Sequence, residues 1–275
     1  MKIVQITDTH LSPGKCHFNG NWGPLAEWVE CEQPDLVIHT GDLTIDGADL
    51  AEDLVYAKAL LDTLGVPCLV VPGNHDVGHA GTAQPVDAAR LARWRDLVGP
   101  DRWMADRGDW RLIGLNSLLL GLGDDEEAAQ LEWLTQALAM RGDRRVAVFG
   151  HKPLFLDDAG EGETGYWGAQ PAPRRTLLDL FAAHDVALYA SGHLHRGWIG
   201  QGGTTALVWA PASSFVVGAM AGRVMPGESV VGAAIHHLGS DVRSELATVP
   251  GLIPHLLDDV MDEVYPAAVQ EGVSR

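Results

Sequence analysis

Lys2-Ile3-Val4-Gln5-Ile6-Thr7-Asp8-Thr9-His10 decides the fold. A short strand-like run ends on a carboxylate and an imidazole two positions apart. Alternation along an extended strand turns such a pair to one side, so Asp8 and His10 can reach one ion. The same pattern recurs four times. Residues 36–40 run into Gly41-Asp42, residues 68–71 into Gly73-Asn74-His75-Asp76, residues 145–149 into Gly150-His151, and residues 186–190 into Gly192-His193-Leu194-His195. Alone, each cluster reads as a turn with solvated polar side chains. Five in series, all just past strand ends, place oxygen and imidazole donors on one surface, a set suited to two divalent transition-metal ions. Asp42 can bridge two ions, Asn74 can offer a neutral carbonyl oxygen, and His151 can offer an imidazole. The buried histidine pair His193/His195 is costly to satisfy without a metal.

Between these runs lie helical patterns at residues 25–32, 49–64, 88–97, 126–140 and 173–184. Further strands are expected at 110–116 and 205–210. Several strands are continuous apolar runs, as in sheets covered on both faces. Alternating strand and helix patterns imply an α/β layered core. Residues 11–23 and 157–173 read as long loops, the kind that carry function. Residues 197–237 read as strands and turns, residues 249–264 as a short helical tail begun by Pro250 and Pro254, and residues from Pro266 on as frayed. No linker composition interrupts the chain, so a single domain over 1–265 is expected.

The net charge of −18 over 275 residues disfavours long polyanions and anionic membranes, so nucleic acid is not an expected partner. Cys16, Cys31 and Cys68 are odd in number and lack Cys-x-x-Cys spacing, which points to a reducing compartment without a disulfide framework. The chain opens on a strand and not on a basic then apolar leader, and no run reaches the roughly 18–20 apolar residues of a membrane helix. A cytoplasmic location follows as the expectation. The acidic, apolar stretch 252–264 could pack on its own core or on a second copy, so a homodimer is a further expectation.

The order Asp-x-His, Gly-Asp, Gly-Asn-His-Asp, Gly-His, Gly-His-x-His resembles the calcineurin-like metallophosphoesterase superfamily, over residues 3 to about 196. Chain length and the Gly-Asn-His-Asp form are most similar to its class III cyclic-nucleotide phosphodiesterase and glycerophosphodiesterase branch. The resemblance implies a four-layer α/β/β/α sandwich of two mixed sheets with a dinuclear metal site at the strand ends. It implies Asp8, His10 and His195 around one ion, Asn74, His151 and His193 around the other, and Asp42 between them. Family members use manganese, iron, zinc or cobalt there.

Two such ions about 3.5–4 Å apart activate a shared hydroxide and clamp phosphoryl oxygens. The leaving alkoxide still needs a proton, and His75, not required as a ligand, is the candidate acid. Asp76 either orients a histidine or caps the turn. The protein phosphatase branch reads Gly-Asp-x-Val-Asp-Arg-Gly at the second motif, whereas this chain reads Gly41-Asp42-Leu43-Thr44-Ile45-Asp46-Gly47. Asp46 inverts the arginine's charge, and Ile45 replaces the acid that supports the catalytic histidine. A phosphodiester, with one negative charge, tolerates that loss better than a monoester. The expected substrate is a small phosphodiester such as a cyclic nucleotide or a glycerophosphodiester. A monoesterase or pyrophosphatase using Arg196 as a phosphate clamp is the alternative, and a non-catalytic metal-binding regulator is a second. Candidate contacts to the rest of the substrate are His17, Asn19, His79, Tyr166 and Trp167.

Overall fold

The computed structural model describes residues 1–218 and 225–264. Strand β1 (Lys2–Ile6) leads through α1 (Trp22–Glu32) to β2 (Leu36–His39), and α2 (Ala51–Leu61) leads to β3 (Cys68–Val70). A one-turn helix α3 (Asn74–Val77) and α4 (Ala88–Leu97) precede β4 (Trp103–Arg107) and β5 (Trp110–Gly114). Then follow α5 (Asp125–Ala139), β6 (Arg145–Phe149), α6 (Pro171–Ala183), β7 (Val186–Ser191), β8 (Trp198–Gly202) and β9 (Thr205–Trp209). The described chain closes with β10 (Phe215–Val216), β11 (Ala233–Leu238), β12 (Val242–Ala247), β13 (His255–Leu256) and α7 (Met261–Val264).

Two large sheets form, ordered β12-β11-β1-β2-β3 and β4-β5-β6-β7-β9-β8. Both are mixed. In the first, β1, β2 and β3 are parallel and β11 runs against β1 and β12. In the second, β5, β6, β7 and β9 are parallel, with antiparallel β4 and β8 at the edges.

Strand alternation sorts the apolar side chains into layers. Ile3, Leu36 and Ile38 of the first sheet share a buried cluster with Leu112, Ala147, Phe149, Leu188 and Val208 of the second. Their neighbours Val4, Ile6 and Val37 face the other way, onto Leu25 and Val29 of α1, Leu54 of α2, and Trp94 of α4. On the far side, Ile113, Val146 and Val148 pack on Leu134 and Leu138 of α5 and on Leu177 and Phe181 of α6. The result is the expected α/β/β/α order. Burial on both faces explains why the strands read as unbroken apolar runs. Helix starts follow the sequence: Asp87 and Asp124 accept backbone N–H bonds at the heads of α4 and α5, and Pro171 opens α6.

Gln5 is the polar exception between the sheets. Its amide nitrogen donates to Thr40 Oγ1 and to the Ser191 carbonyl, 2.8 and 3.1 Å away. Its amide oxygen accepts from His236 Nε2, leaving His236 Nδ1 to accept from Ser244 Oγ. Four strand positions are thereby joined through one fully satisfied buried network.

Two expectations change. The tail helix over 249–264 forms only at Met261–Val264, because His255–Leu256 instead pairs in parallel with Phe215–Val216. Residues 242–247, outside the region read as strands, form β12 at a sheet edge. The fraying expected from Pro266 on lies outside the described residues. No helix among the described residues is long and apolar enough to cross a membrane. The parallel strands β1, β2, β3, β6 and β7 end at one edge of the sandwich, where open α/β sheets place their sites.

Candidate metal centre

Three of the five motifs, at Asp8/His10, Gly41-Asp42 and His193/His195, leave their strands through left-handed backbone. Among the described residues, seven non-glycine residues have positive φ, and five are motif residues: Asp8 at 52°, His10 at 46°, Asp42 at 49°, His193 at 70° and His195 at 52°. The left-handed conformation costs an L-residue about 1–2 kcal/mol, and such strain concentrates at functional sites. Asp8 and His10 therefore converge through two left-handed turns beyond the end of β1, and not by strand alternation as the sequence reading supposed. Glycine makes room for this crowding. A Cβ at Gly192 would overlap the Thr7 hydroxyl and the Asp8 carboxylate, and one at Gly73 would overlap Asp42.

The side chains meet in three overlapping groups: Asp8/His10/His195, His10/Asp42/His75 and Asp42/His151/His193. Asp8 Oδ1 faces His195 Nε2 at 3.4 Å, while Asp8 Oδ2 accepts from Thr7 Oγ1 and the His193 backbone N–H. Asp42 Oδ2 lies 3.3 Å from His151 Nε2, 3.8 Å from His10 Nε2 and 4.0 Å from His75 Nε2. Asn74 Oδ1 lies 3.0 Å from His151 Nε2, and His193 Nδ1 lies 3.1 Å from the same atom.

Backbone carbonyls fix the rings. His151 Nδ1–H donates to Thr40 O, and His195 Nδ1–H donates to Phe215 O, both at 2.8 Å. His193 Nε2–H donates to Tyr166 O at 3.1 Å. Each bond occupies one ring nitrogen and leaves the other aimed at the centre, the arrangement that orients metal-binding histidines.

Several of these atoms lack partners. Asp8 Oδ1 and both His10 nitrogens are buried without any hydrogen bond. Leaving a buried polar atom unpaired costs about 1–3 kcal/mol. Burial opposes charge on Asp8 and Asp42, yet the surrounding histidines hold both carboxyls well below their ordinary values. Burial likewise opposes a proton on His151, yet the Asp42 carboxylate lifts it to about 9. His10 and His193 are pushed well below their ordinary value, chiefly by burial. Permanent carboxylates, the neutral imidazoles of His10 and His193, and orphaned buried atoms make a donor set that fits divalent cations, to which His151 would yield its proton on binding.

The calcineurin-like phosphoesterase family matches residues 1–197. The chain belongs to that family. It is a metallophosphoesterase, and the converging donors occupy the place of the family's dinuclear divalent-metal site. It is 27% identical over 222 residues to a Synechococcus sp. protein described as a "probable cyclic nucleotide phosphodiesterase", covering 78% of this chain and 81% of that one. It is 30% identical over 222 residues to an Arcobacter nitrofigilis protein described as a "probable glycerophosphodiester phosphodiesterase", covering 71% and 72%. A serine/threonine-protein phosphatase of Pongo abelii is 31% identical over 159 residues, covering 56% of this chain and 48% of that protein.

In this calcineurin-like phosphoesterase the other sequence candidates divide. Tyr166 is at the centre: its hydroxyl accepts from Asn74 Nδ2 at 2.7 Å, and its ring lies 4.9 Å from His193. Trp167 stands behind it, 6.0 Å from His193, against the Leu156, Leu194 and Trp209 cluster. His79 lies tilted against Tyr166, ring centroids 4.7 Å apart. His17 instead packs on Phe18 and His255 and faces Glu263. Asn19 staples its own loop, bonding Ser12 on both sides and Tyr56. Arg196 donates through Nε and Nη2 to the Pro226 and Gly227 carbonyls at 2.9 and 2.6 Å, which ties its guanidinium to that loop.

Asp76 braces two turns. Its carboxylate accepts from the backbone N–H groups of Leu43, Thr44 and Gly73 and from Thr44 Oγ1, and so ties the Asp42 turn to the Asn74 turn. Burial, then Asp42, push it up to about 7 against those bonds. The ring of His75 is held by a different group, the Ile45 carbonyl.

Sequence reasoning missed Lys152. It follows His151 directly, is only 7% exposed, and reaches His79 Nε2 at 2.8 Å. Burial pushes its ammonium down to about 7. A lysine between a candidate ligand and a proline was the available signal.

Proposed function

We propose that this chain hydrolyses small phosphodiesters, with His75 as the acid that protonates the leaving alkoxide. The observation that carries the reading is the setting of His75. Its Nδ1–H is fixed on Ile45 O at 2.8 Å, and its Nε2 is directed to the donor cluster, 4.0 Å from Asp42 Oδ2. Asp8, His10 and His195 would hold one divalent ion and Asn74, His151 and His193 the other, with Asp42 between. When bound, the pair supplies Lewis acidity and an activated water near neutral pH.

The residues of the chain do the rest. Asp76 keeps the Asp42 and Asn74 turns in register. Thr40, Phe215 and Tyr166 carbonyls hold the imidazoles at fixed tilt. His75 donates from Nε2, a role that contributes about 10²–10⁴-fold in comparable sites.

The diester preference is supported by Arg196, whose Nε and Nη2 are engaged by the Pro226 and Gly227 carbonyls. A monoester dianion draws on such a fork for bidentate binding. The relatives described as phosphodiesterases also align over longer stretches than the phosphatase does.

The test is the Mn²⁺-loaded protein on bis-p-nitrophenyl phosphate and p-nitrophenyl phosphate. The diester is expected to show the larger kcat/KM. A reversed ratio favours the monoesterase reading, and no turnover of either rejects both.

A further inference from the structure

Lys152 stands in a place that charged side chains rarely occupy. It is 7% exposed, and lysine is seldom that buried without a counter-charge. Its backbone is pinned at both ends: the N–H donates to Ser117 Oγ, and the carbonyl accepts from Tyr189 OH. The side chain is held in turn. His79 Nδ1–H donates to Ala80 O at 2.7 Å, which leaves His79 Nε2 as a lone pair that accepts from Lys152 Nζ at 2.8 Å. No carboxylate among the described residues lies within ion-pair distance of that ammonium.

Lys152 lines a cavity of about 340 Å³, walled by His79, Thr82, Ser117, Leu118, Tyr166 and Gln170 among others. It is the only aspartate, glutamate, lysine or arginine in that wall. Tyr166 belongs to both the cavity wall and the metal centre. Tyr166 contributes its ring to the cavity wall and its hydroxyl to Asn74. A buried ammonium with one neutral partner, lining a cavity that holds no other charged side chain, is a site for an anion. The overall charge of −18 repels anions in general, so a dedicated counter-charge is needed to seat one here.

We propose that this cavity receives an anionic, non-reacting arm of the substrate, a carboxylate or phosphate on the alcohol half of the ester, with Lys152 Nζ as its counter-charge. The proposal rests on the phosphodiesterase reading and narrows it to diesters that bear a second anion. Lys152 is a specificity residue in this account, and His79 positions it.

The experiment compares two matched p-nitrophenyl alkyl phosphodiesters, one whose alkyl arm ends in a carboxylate and one whose arm ends in the primary amide. Wild-type protein loaded with Mn²⁺ is expected to prefer the carboxylate in kcat/KM by about tenfold or more, the worth of one charge-assisted hydrogen bond. In Lys152→Met that ratio is expected to fall towards one, through KM. Calorimetry with the corresponding pair of phosphonates, in which a methylene replaces the scissile oxygen, reads the same preference without turnover. An equal kcat/KM for both esters in the wild type, or an unchanged ratio in Lys152→Met, overturns the proposal. So does equal affinity for, or no binding of, the two phosphonates. Preferential binding without hydrolysis of either ester sinks the diesterase reading and leaves the anion site standing. Hydrolysis without preference does the reverse.

Discussion

The Nδ1 atom of His75 lies 2.8 Å from the carbonyl oxygen of Ile45. A main-chain acceptor therefore does the work that the resemblance assigns to an acidic side chain. The substitution by isoleucine at position 45 does not orphan the histidine, because every residue type brings the same carbonyl. Ile45 itself points into a small apolar cluster with Phe18 and Phe215, which fixes that carbonyl in place.

His75→Gln tests the acid role. With an alkyl leaving group, kcat is expected to fall by about 10²–10⁴-fold. With an activated aryl leaving group, which needs no proton, the loss is expected to be much smaller. Equal losses on both substrates would show that His75 binds substrate rather than protonates it.

Asp76→Ala removes the acceptor shared by three backbone N–H groups and the Thr44 hydroxyl. Stability is expected to drop by about 3 kcal/mol or more, since buried donors left unpaired cost about 1–3 kcal/mol each. Urea unfolding of the two proteins gives the comparison. A loss below about 1 kcal/mol would contradict the bracing role.

His236 sets a pH dependence of stability. Burial, then the nearby His237, depress it from its ordinary value of 6.5 to about 3. A depressed histidine pKa means that the unfolded chain binds the extra proton first. Its contribution is thus complete above pH 6.5 and is lost as pH falls from there to about 3, with a slope of about 1.4 kcal/mol per pH unit. Unfolding free energies of the wild type and His236→Gln, measured from pH 8 to 4, are expected to converge as acid is added. Parallel curves would exclude the buried neutral imidazole.

Arg174 holds the segment that presents Tyr166. Only 1% exposed, it donates to the carbonyls of Glu161, Gly162 and Ala169. Arg174→Met is expected to cost about 1.5–3 kcal/mol and to open the 157–170 segment to limited proteolysis. Unchanged cleavage there would argue that the loop is held by other contacts.

Much of this was legible in the sequence because the apolar runs and the polar clusters are local. Strands 145–149 and 186–190 and the helix pattern at 88–97 need only their own periodicity, and the donors mark their ends. What escaped depends on distant partners. His255–Leu256 becomes a strand only because Phe215–Val216 offers an edge, and the two Pro residues nearby read equally well as a helix start. Strand β4 carries exposed Asp106 and Arg107 at a sheet edge and lacks the apolar signature. The left-handed turns at Asp8 and His10 have no glycine to announce them. His79 meets Tyr166 and Lys152 across three loops, contacts that no spacing reveals.

The central claim is a two-ion centre joined at Asp42. Equilibrium dialysis of the full chain against Mn²⁺, with metal counted per folded protein, tests it most directly. The account predicts two ions bound to the wild type and no more than one to Asp42→Ala at the same free concentration. One ion or none in the folded wild type, or two retained by Asp42→Ala, would contradict it.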